Sequence, residues 1–239
     1  MKVVNYLLGY KDLKIVQDND MFNFSLDSVL LPNFVTLNKN IKQILDIGCG
    51  NAPIPLILST KTNASIVGVE IQKEVYEMAC ESIKINSKQN QIKIINDDIN
   101  NFYKIEETDK YDVITCNPPF FKYIESSNVN KSDYKTIARH EIKLNLSQLF
   151  TISKKLLKNN GVIALVHRPE RFVEIIEEMK KNNIEPKKVQ FVYPKKNAEA
   201  NIMLIEGSKN GKSGLKILPP IYSHEDNGEY TKEIQRYFE

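Results

Sequence analysis

Apolar and polar positions along this chain change period several times, and each change predicts an element. Short apolar runs at Ile41–Ile47, Ser65–Glu70, Ile92–Asn96, Tyr111–Cys116 and Val162–His167 read as strands. Between them the spacing lengthens. Ile54–Ser59 is apolar and opens a helix, and over Lys73–Asn86 the residues Val75, Ala79 and Ile83 share a helical face with Met78. Leu146–Leu157 has helical periodicity, with Asn159-Asn160-Gly161 as its stop, and Pro169 suits the first position of a helix ending near Lys181. Strand and helix in alternation predict a parallel sheet with helices on both faces. Two late strands, Val189–Tyr193 and Ile202–Glu206, have no obvious helix between them; they can pair as a hairpin and make one edge antiparallel. The expected fold class is α/β, a doubly wound, mostly parallel sheet. One domain is expected over residues 1–239, with 1–40 as a short N-terminal extension and 41–239 as the catalytic core.

Composition narrows the setting. A chain of 239 residues, 41% apolar, suffices for one large core. No apolar stretch has the length of a transmembrane helix, and MKVVNYLLGYKDLK at the N-terminus lacks the apolar block of a signal peptide. The three cysteines, Cys49, Cys80 and Cys116, have no CxxC spacing. They predict neither a disulfide framework nor a metal site, and they suit a reducing cytoplasm. Residues 1–120 carry 12 basic and 15 acidic side chains, and residues 121–239 carry 21 and 15. Basic pairs recur at Lys154-Lys155, Lys180-Lys181, Lys187-Lys188 and Lys195-Lys196. A basic half attracts phosphates, although a solvated lysine surface has the same composition. With only four arginines, bidentate phosphate clamps are scarce.

Candidate chemistry collects where the predicted strands end. LDIGCGNAP (Leu45–Pro53) joins the first of these strands to a helix, and Gly48 and Gly50 allow a tight turn close to a ligand. Glu70 ends the next strand, where an acid can hold ribose hydroxyls. A dinucleotide fingerprint would need a third glycine at position 53, which is proline, so the turn alone leaves a structural role open. Asn96-Asp97-Asp98-Ile99 ends the third strand. There Asp98 can accept from an adenine amine and the Ile99 N–H can donate to a ring nitrogen, or the pair can be a turn or cap. Asp46, Gly48, Gly50, Glu70, Asp98 and Ile99 thus form the candidate cofactor set, at the carboxyl ends of consecutive strands.

The fourth strand ends in ITCNPPFFKY (Ile114–Tyr123). Proline cannot donate to a sheet, so the strand stops at Asn117. Here the sequence resembles the class I S-adenosylmethionine-dependent methyltransferases, in particular their amino-methylating branch. That resemblance implies a Rossmann-like fold, S-adenosylmethionine as cofactor with S-adenosylhomocysteine as product, and an Asn-Pro-Pro-aromatic motif that holds a planar NH2 group. Asn117, Pro118, Pro119 and Phe120 are then the catalytic residues, with Asn117 also beside the cofactor. The Asn117 side-chain oxygen and the Pro118 carbonyl take the two N–H bonds, Pro119 helps fix the turn, and Phe120 stacks on the base. Cys116 is expected to be a buried structural thiol.

Further motifs point to one subfamily. DNDMFNFSLDSVLLPNFV (Asp18–Val35), ILDIGCGNAPIPLIL, NPPFF, ARHE (Ala138–Glu141), ALVHRPER (Ala164–Arg171) and the tail LKILPPIYSHEDNGEYTKEIQRYF resemble the bacterial tRNA adenosine N6-methyltransferases that modify position 37, beside the anticodon, of a valine tRNA. The resemblance implies a tRNA substrate, a cytoplasmic location, no membrane attachment, and a monomer or weak homodimer. It also sets Asp27 near the cofactor, where a helix N-cap is the alternative. Lys122, Arg139, Lys195 and Lys196 are the candidate RNA contacts, residues 122–135 a loop that orders around substrate, His140 a loop or helix-cap histidine, and His167 a structural or phosphate-contacting residue. Three other readings stay open: methylation of a protein glutamine, as in release factors, or of another RNA amino group; a NAD-dependent oxidoreductase built on Gly48, Gly50 and Glu70; and a silent RNA-binding module.

Overall fold

The computed structural model describes residues 2–8, 10–18, 26–118 and 144–237. Pro119, Phe120, Lys122, Arg139, His140, Phe24 and the 122–135 loop lie outside the described residues. The N-terminus forms a hairpin of β1 (Lys2–Leu7) and β2 (Tyr10–Asp18), followed by α1 (Asp27–Phe34). Alternation then begins: β3 (Gln43–Ile47), α2 (Pro53–Lys61), β4 (Ser65–Glu70), α3 (Lys73–Ile85), β5 (Ile92–Asn96), α4 (Ile99–Ile105) and β6 (Tyr111–Cys116). From residue 144 onward come α5 (Leu146–Leu156), β7 (Leu157–His167), a 3-10 turn at Pro169–Arg171, α6 (Phe172–Lys181), β8 (Ile184–Tyr193) and β9 (Ile202–Lys209). Two short strands, β10 (Lys216–Ile217) and β11 (Ile221–Tyr222), and α7 (Lys232–Arg236) follow.

The main sheet runs β10-β8-β9-β7-β6-β3-β4-β5, with β11 also on β8. Strands β3 to β7 are mutually parallel, and β9 is antiparallel to both β7 and β8. The late hairpin is therefore present, and it is β9 that inserts beside β7 while β8 lies outside it. Both strands are longer than their apolar runs suggest, and Pro186 is absorbed in β8 at a register shift.

Successive side chains of the central strands enter opposite cores. Ile44, Val113, Ala164 and Val166 pack with Leu30, Leu31, Leu56, Ile57, Ala79 and Ile83 from α1, α2 and α3. Leu45, Ile47, Ile114, Ile163 and Leu165 pack with Phe102, Leu149, Phe150, Leu156, Ile175 and Met179 from α4, α5 and α6. Burial on both faces is the reason these strands are apolar without alternation, and it makes the sheet doubly wound.

One local expectation is corrected. Asn159-Asn160-Gly161 does not stop a helix, since α5 already ends at Leu156 and the three residues lie inside β7. Asn160 has φ +62°, and a Cβ on Gly161 would sit 2.9 Å from the Lys158 carbonyl oxygen. The motif thus bends the strand where β6 and β7 shift register. The N-terminal extension carries the β1–β2 hairpin and α1. Its hairpin is fastened to α3 by Val16 N–H to Ser82 Oγ (2.9 Å) and Lys14 N–H to Asn86 Oδ1 (2.9 Å).

Candidate active site

Register places the ends of five strands on one edge of the sheet. Ile47 lies opposite Val69 and Cys116, Glu70 opposite Asn96, and Cys116 opposite Leu165. All run the same way, so Gly48, Glu70, Asp97, Asn117 and His167 lead off the same carboxyl edge. Open α/β sheets bind ligands there.

The glycine turn is built for close approach. Gly48 and Gly50 have φ of +67° and +56°, and a Cβ at either would meet nothing within 4 Å. Backbone conformation therefore requires glycine, while the space over the turn is open. The N–H groups of Gly48 and Cys49 both bond to the Val69 carbonyl, which pins the turn to β4. Ala52, at φ +73°, then leads into α2 without a side-chain cap, and Pro53 occupies the first turn, where its missing N–H costs nothing. Glu70 is buried; Oε2 accepts from Gly50 N–H at 3.0 Å and Oε1 from Gln72 N–H at 2.8 Å.

Asp46 sits beneath this turn, wholly buried. Its Oδ1 accepts from the Thr115 hydroxyl at 2.6 Å. Burial, with the Thr115 bond opposing it and Glu70 adding to it, raises its carboxyl to about 7. Asp98 is the N-cap of α4, its Oδ1 accepting from Asn100 N–H at 2.8 Å. The cap alternative for this residue is thus realised. Its neighbour Asn96 donates through Nδ2 to the Glu70 carbonyl at 2.8 Å, tying the third strand end to the second.

Asn117 continues from β6 half-buried. Its Nδ2 donates to Ser28 Oγ at 3.3 Å, which brings the start of α1 to the edge. With the amide nitrogen so engaged, Oδ1 is the acceptor that Asn117 can offer. Cys116 is buried, and burial pushes its thiol well above the usual range, so it is no nucleophile. Pro118, His167 and Arg171 line one small cavity with Leu149. His167 accepts from Arg168 N–H through Nδ1 at 2.8 Å. Burial, aided by Arg171 and Arg168, lowers its pKa to about 4 and keeps it neutral.

The lysine pairs divide by environment. Lys195 and Lys196 are exposed on the loop after β8, whose end lies level with His167 through β9. An acidic turn carrying Glu225, Asp226 and Glu229 approaches them: Lys195 Nζ is 3.5 Å from the Asp226 carbonyl oxygen. Lys187 donates to the Lys212 carbonyl. Lys188 is committed to the fold, donating to the Phe34 carbonyl (2.7 Å) and Thr36 Oγ1 (2.8 Å), and lying 3.4 Å from buried Glu206. Of the pair Lys187-Lys188, Lys188 is thus held within the fold.

Ser28, Thr115 and Asn51 escaped the sequence reading. Asn51 donates to the Val16 carbonyl at 2.8 Å and so joins the glycine turn to the N-terminal hairpin. Each is a single polar residue whose partner is distant in sequence, and only the SLDS and GCGN contexts hint at them. Among the described residues no group of three His, Cys, Asp or Glu side chains is arranged to hold a metal, and no helix is long and apolar enough to cross a membrane.

Comparison with known proteins adds a lineage to this geometry. The family model described as Methyltransferase small domain matches residues 25–190. A tRNA1(Val) (adenine(37)-N6)-methyltransferase of Flavobacterium psychrophilum is 29% identical over 231 residues, covering 95% of each chain. One of the same name from Parabacteroides distasonis is 28% identical, covering 98% of this chain and 93% of that protein. Among solved structures, a protein described as a predicted O-methyltransferase, from Agrobacterium tumefaciens, superposes with a TM-score of 0.69 at 16% identity, over 89% of this chain and 95% of that one. Geranyl diphosphate C-methyltransferase from Streptomyces coelicolor A3(2), in complex with S-adenosyl-L-homocysteine, gives 0.58 at 9% identity over 76% of each chain. These two share the fold.

Proposed function

The chain belongs to the Methyltransferase small domain family, and from that premise we propose that it transfers a methyl group from S-adenosylmethionine to the exocyclic N6 of adenosine 37 in the anticodon loop of a valine tRNA. One observation carries the reading: Asn117 leaves β6 on the same sheet edge as the Gly48–Gly50 turn and the Glu70 carboxylate. The activity named for the relatives, on adenine 37 of a tRNA1(Val), supports the substrate.

S-adenosylmethionine supplies a methyl group made electrophilic by a sulfonium. The residues present fit it. Open space over Gly48 and Gly50 admits a ligand against the backbone, Glu70 offers a carboxylate to ribose hydroxyls, and Asp98 and Ile99 stand at the third strand end for a base. Asp46 adds a buried acid beneath them.

The target nitrogen is a poor nucleophile because its lone pair is delocalised into the ring. Asn117 Oδ1 accepts one of its N–H bonds and the Pro118 carbonyl the other. Two acceptors favour a pyramidal nitrogen and stabilise the positive charge that grows on it. Ser28 holds the amide nitrogen and so orients Asn117 for this task. Pro119 stiffens the turn and Phe120 stacks on the adenine. A strong base is unnecessary before transfer; the nitrogen sheds its proton afterwards. Lys122, Arg139, Lys195 and Lys196 meet phosphates around the target, which unstacks from a single-stranded loop more cheaply than from a duplex. The whole chain acts as one methyltransferase domain, monomeric or weakly dimeric, in the cytoplasm.

The test is to incubate purified protein with labelled S-adenosylmethionine and, in parallel, total tRNA and a release factor. Label on adenosine N6 in tRNA is the expected result. Label on a glutamine side chain or on guanosine N2 would replace the substrate while keeping the role of Asn117. Cofactor binding without transfer to any of these would leave a silent binding module.

A further inference from the structure

Asp46 carries a carboxylate cut off from solvent, at 0% exposure. One oxygen accepts from Thr115, and the other, Oδ2, has no hydrogen-bond partner among the described residues. An ionised carboxylate with an orphan oxygen in a dry site is unfavourable. Its titratable neighbours offer no relief. Glu70, from β4, is an acid of like sign. Cys49 of the glycine turn and Cys116 at the end of β6 are buried thiols held neutral, each pushed further up by Asp46 itself. Among the described residues no basic side chain acts on Asp46.

The charge that would complete this arrangement is positive and is not supplied by the described residues. We propose that Asp46 is the residue by which the site distinguishes S-adenosylmethionine from S-adenosylhomocysteine: protonated in the free protein, it releases its proton on binding the sulfonium and becomes its counter-charge. The inference rests on the cofactor reading given above. Cofactor and product differ by one methyl group and one positive charge. On transfer the positive charge passes from sulfur to the amine nitrogen, which sheds a proton, and the sulfur is left as a neutral thioether. An ionised Asp46 is then again a lone buried charge. It takes one proton from solvent, and the product is held less tightly than the cofactor. Burial in a weakly polarisable interior lets a charge act over a longer reach than in water. Thr115 is a positioning residue here: its hydroxyl donates only to Asp46 and favours the ionised form.

Calorimetry in two buffers of different ionisation heat counts the protons released when each ligand binds. At about pH 6.5, wild-type protein should release more protons with S-adenosylmethionine than with S-adenosylhomocysteine. Its preference for the former should rise several-fold from about pH 6 to about pH 8. Asp46→Asn keeps the shape and an acceptor for Thr115, and it should abolish both the excess proton and the change in preference. Titration of the ligands' own amino groups survives in that variant and is thereby separated. Thr115→Val keeps the acid but removes its donor, and should move the change in preference to higher pH; it serves also if Asp46→Asn does not fold. Equal proton counts for the two ligands in wild-type protein would overturn the proposal. So would an excess undiminished in Asp46→Asn, or a transition unmoved in Thr115→Val. Failure of wild-type protein to bind either ligand would instead remove the cofactor reading.

Discussion

Gly50 donates its backbone N–H to Glu70 Oε2 at 3.0 Å, so the acid at the end of β4 fastens the glycine turn after β3. The second oxygen takes Gln72 N–H, which holds the start of α3 to the same carboxylate. Turn and acid form one unit before a ligand arrives. Glu70→Ala is expected to weaken S-adenosylhomocysteine binding by roughly 1.5–3 kcal/mol, since charge-assisted bonds to ribose are lost and the turn is loosened. Glu70→Gln keeps one acceptor and should lose less. Calorimetric affinity unchanged in Glu70→Ala would take Glu70 out of the site.

Ser28, on α1 outside the alternating core, accepts from the Asn117 side-chain amide at 3.3 Å. Ser28→Ala should leave cofactor affinity unchanged and slow turnover by about 3- to 10-fold, the worth of about one ordinary hydrogen bond. Ser28→Thr should retain most of the rate. If single-turnover rates of Ser28→Ala matched the wild type, the contact would be packing only.

Lysines of the basic half should respond in two ways. Lys188 has a side chain 18% exposed beside Glu206 at 5%. Lys188→Ala leaves that acid without its cation and is expected to cost about 3 kcal/mol of stability in denaturant titration. Lys195→Ala with Lys196→Ala should leave the midpoint of unfolding unchanged. That pair should reduce the salt dependence of tRNA affinity, with the slope of log K against log salt falling by about 1.4. A slope identical to wild type would show that the acidic turn around Asp226 already silences both lysines.

Asp46 should leave a mark on stability in the free protein. Its folded pKa, about 7, lies above the ordinary 3.8. Between those values the folded state binds more protons than the unfolded one, so this group's contribution is full at low pH and declines as pH rises towards about 7. Asp46→Asn cannot titrate. The stability of wild type relative to Asp46→Asn should therefore fall steadily from about pH 4 to about pH 7 and level off above. His167, held near 4 by burial, has the opposite sign and cancels in the comparison. A difference independent of pH would mean that Asp46 titrates normally.

Much of this was legible in the sequence because it rests on local rules. The five parallel strands declare themselves through two-sided burial, and the glycine turn through residues that only its backbone can use. Glu70 and Asn117 are polar residues closing apolar runs. What was hidden depends on distant pairs. Nothing near Ser28 reveals that it meets Asn117, nor does Thr115, inside an apolar strand, announce Asp46 as its partner. Asn159-Asn160-Gly161 misled because a helix stop and a strand kink draw on the same residue types, and the crowding that decides, the Tyr111 and Asp112 carbonyls where a Cβ on Gly161 would sit, comes from a strand distant in sequence. The N-terminal hairpin was missed because its exposed face carries Val4 and Tyr6, which blur the alternation.

That the chain methylates N6 of adenosine in tRNA through Asn117 is tested most directly by nucleoside mass spectrometry. Unmodified valine tRNA is incubated with S-adenosylmethionine and either wild-type protein or Asn117→Ala, then digested and analysed. Wild type should yield N6-methyladenosine at position 37. Asn117→Ala should bind S-adenosylhomocysteine as wild type does, yet form the product about 100- to 1000-fold more slowly, because one preorganised contact at the transition state is lost. Full activity in Asn117→Ala, or a wild-type product other than N6-methyladenosine, would contradict it.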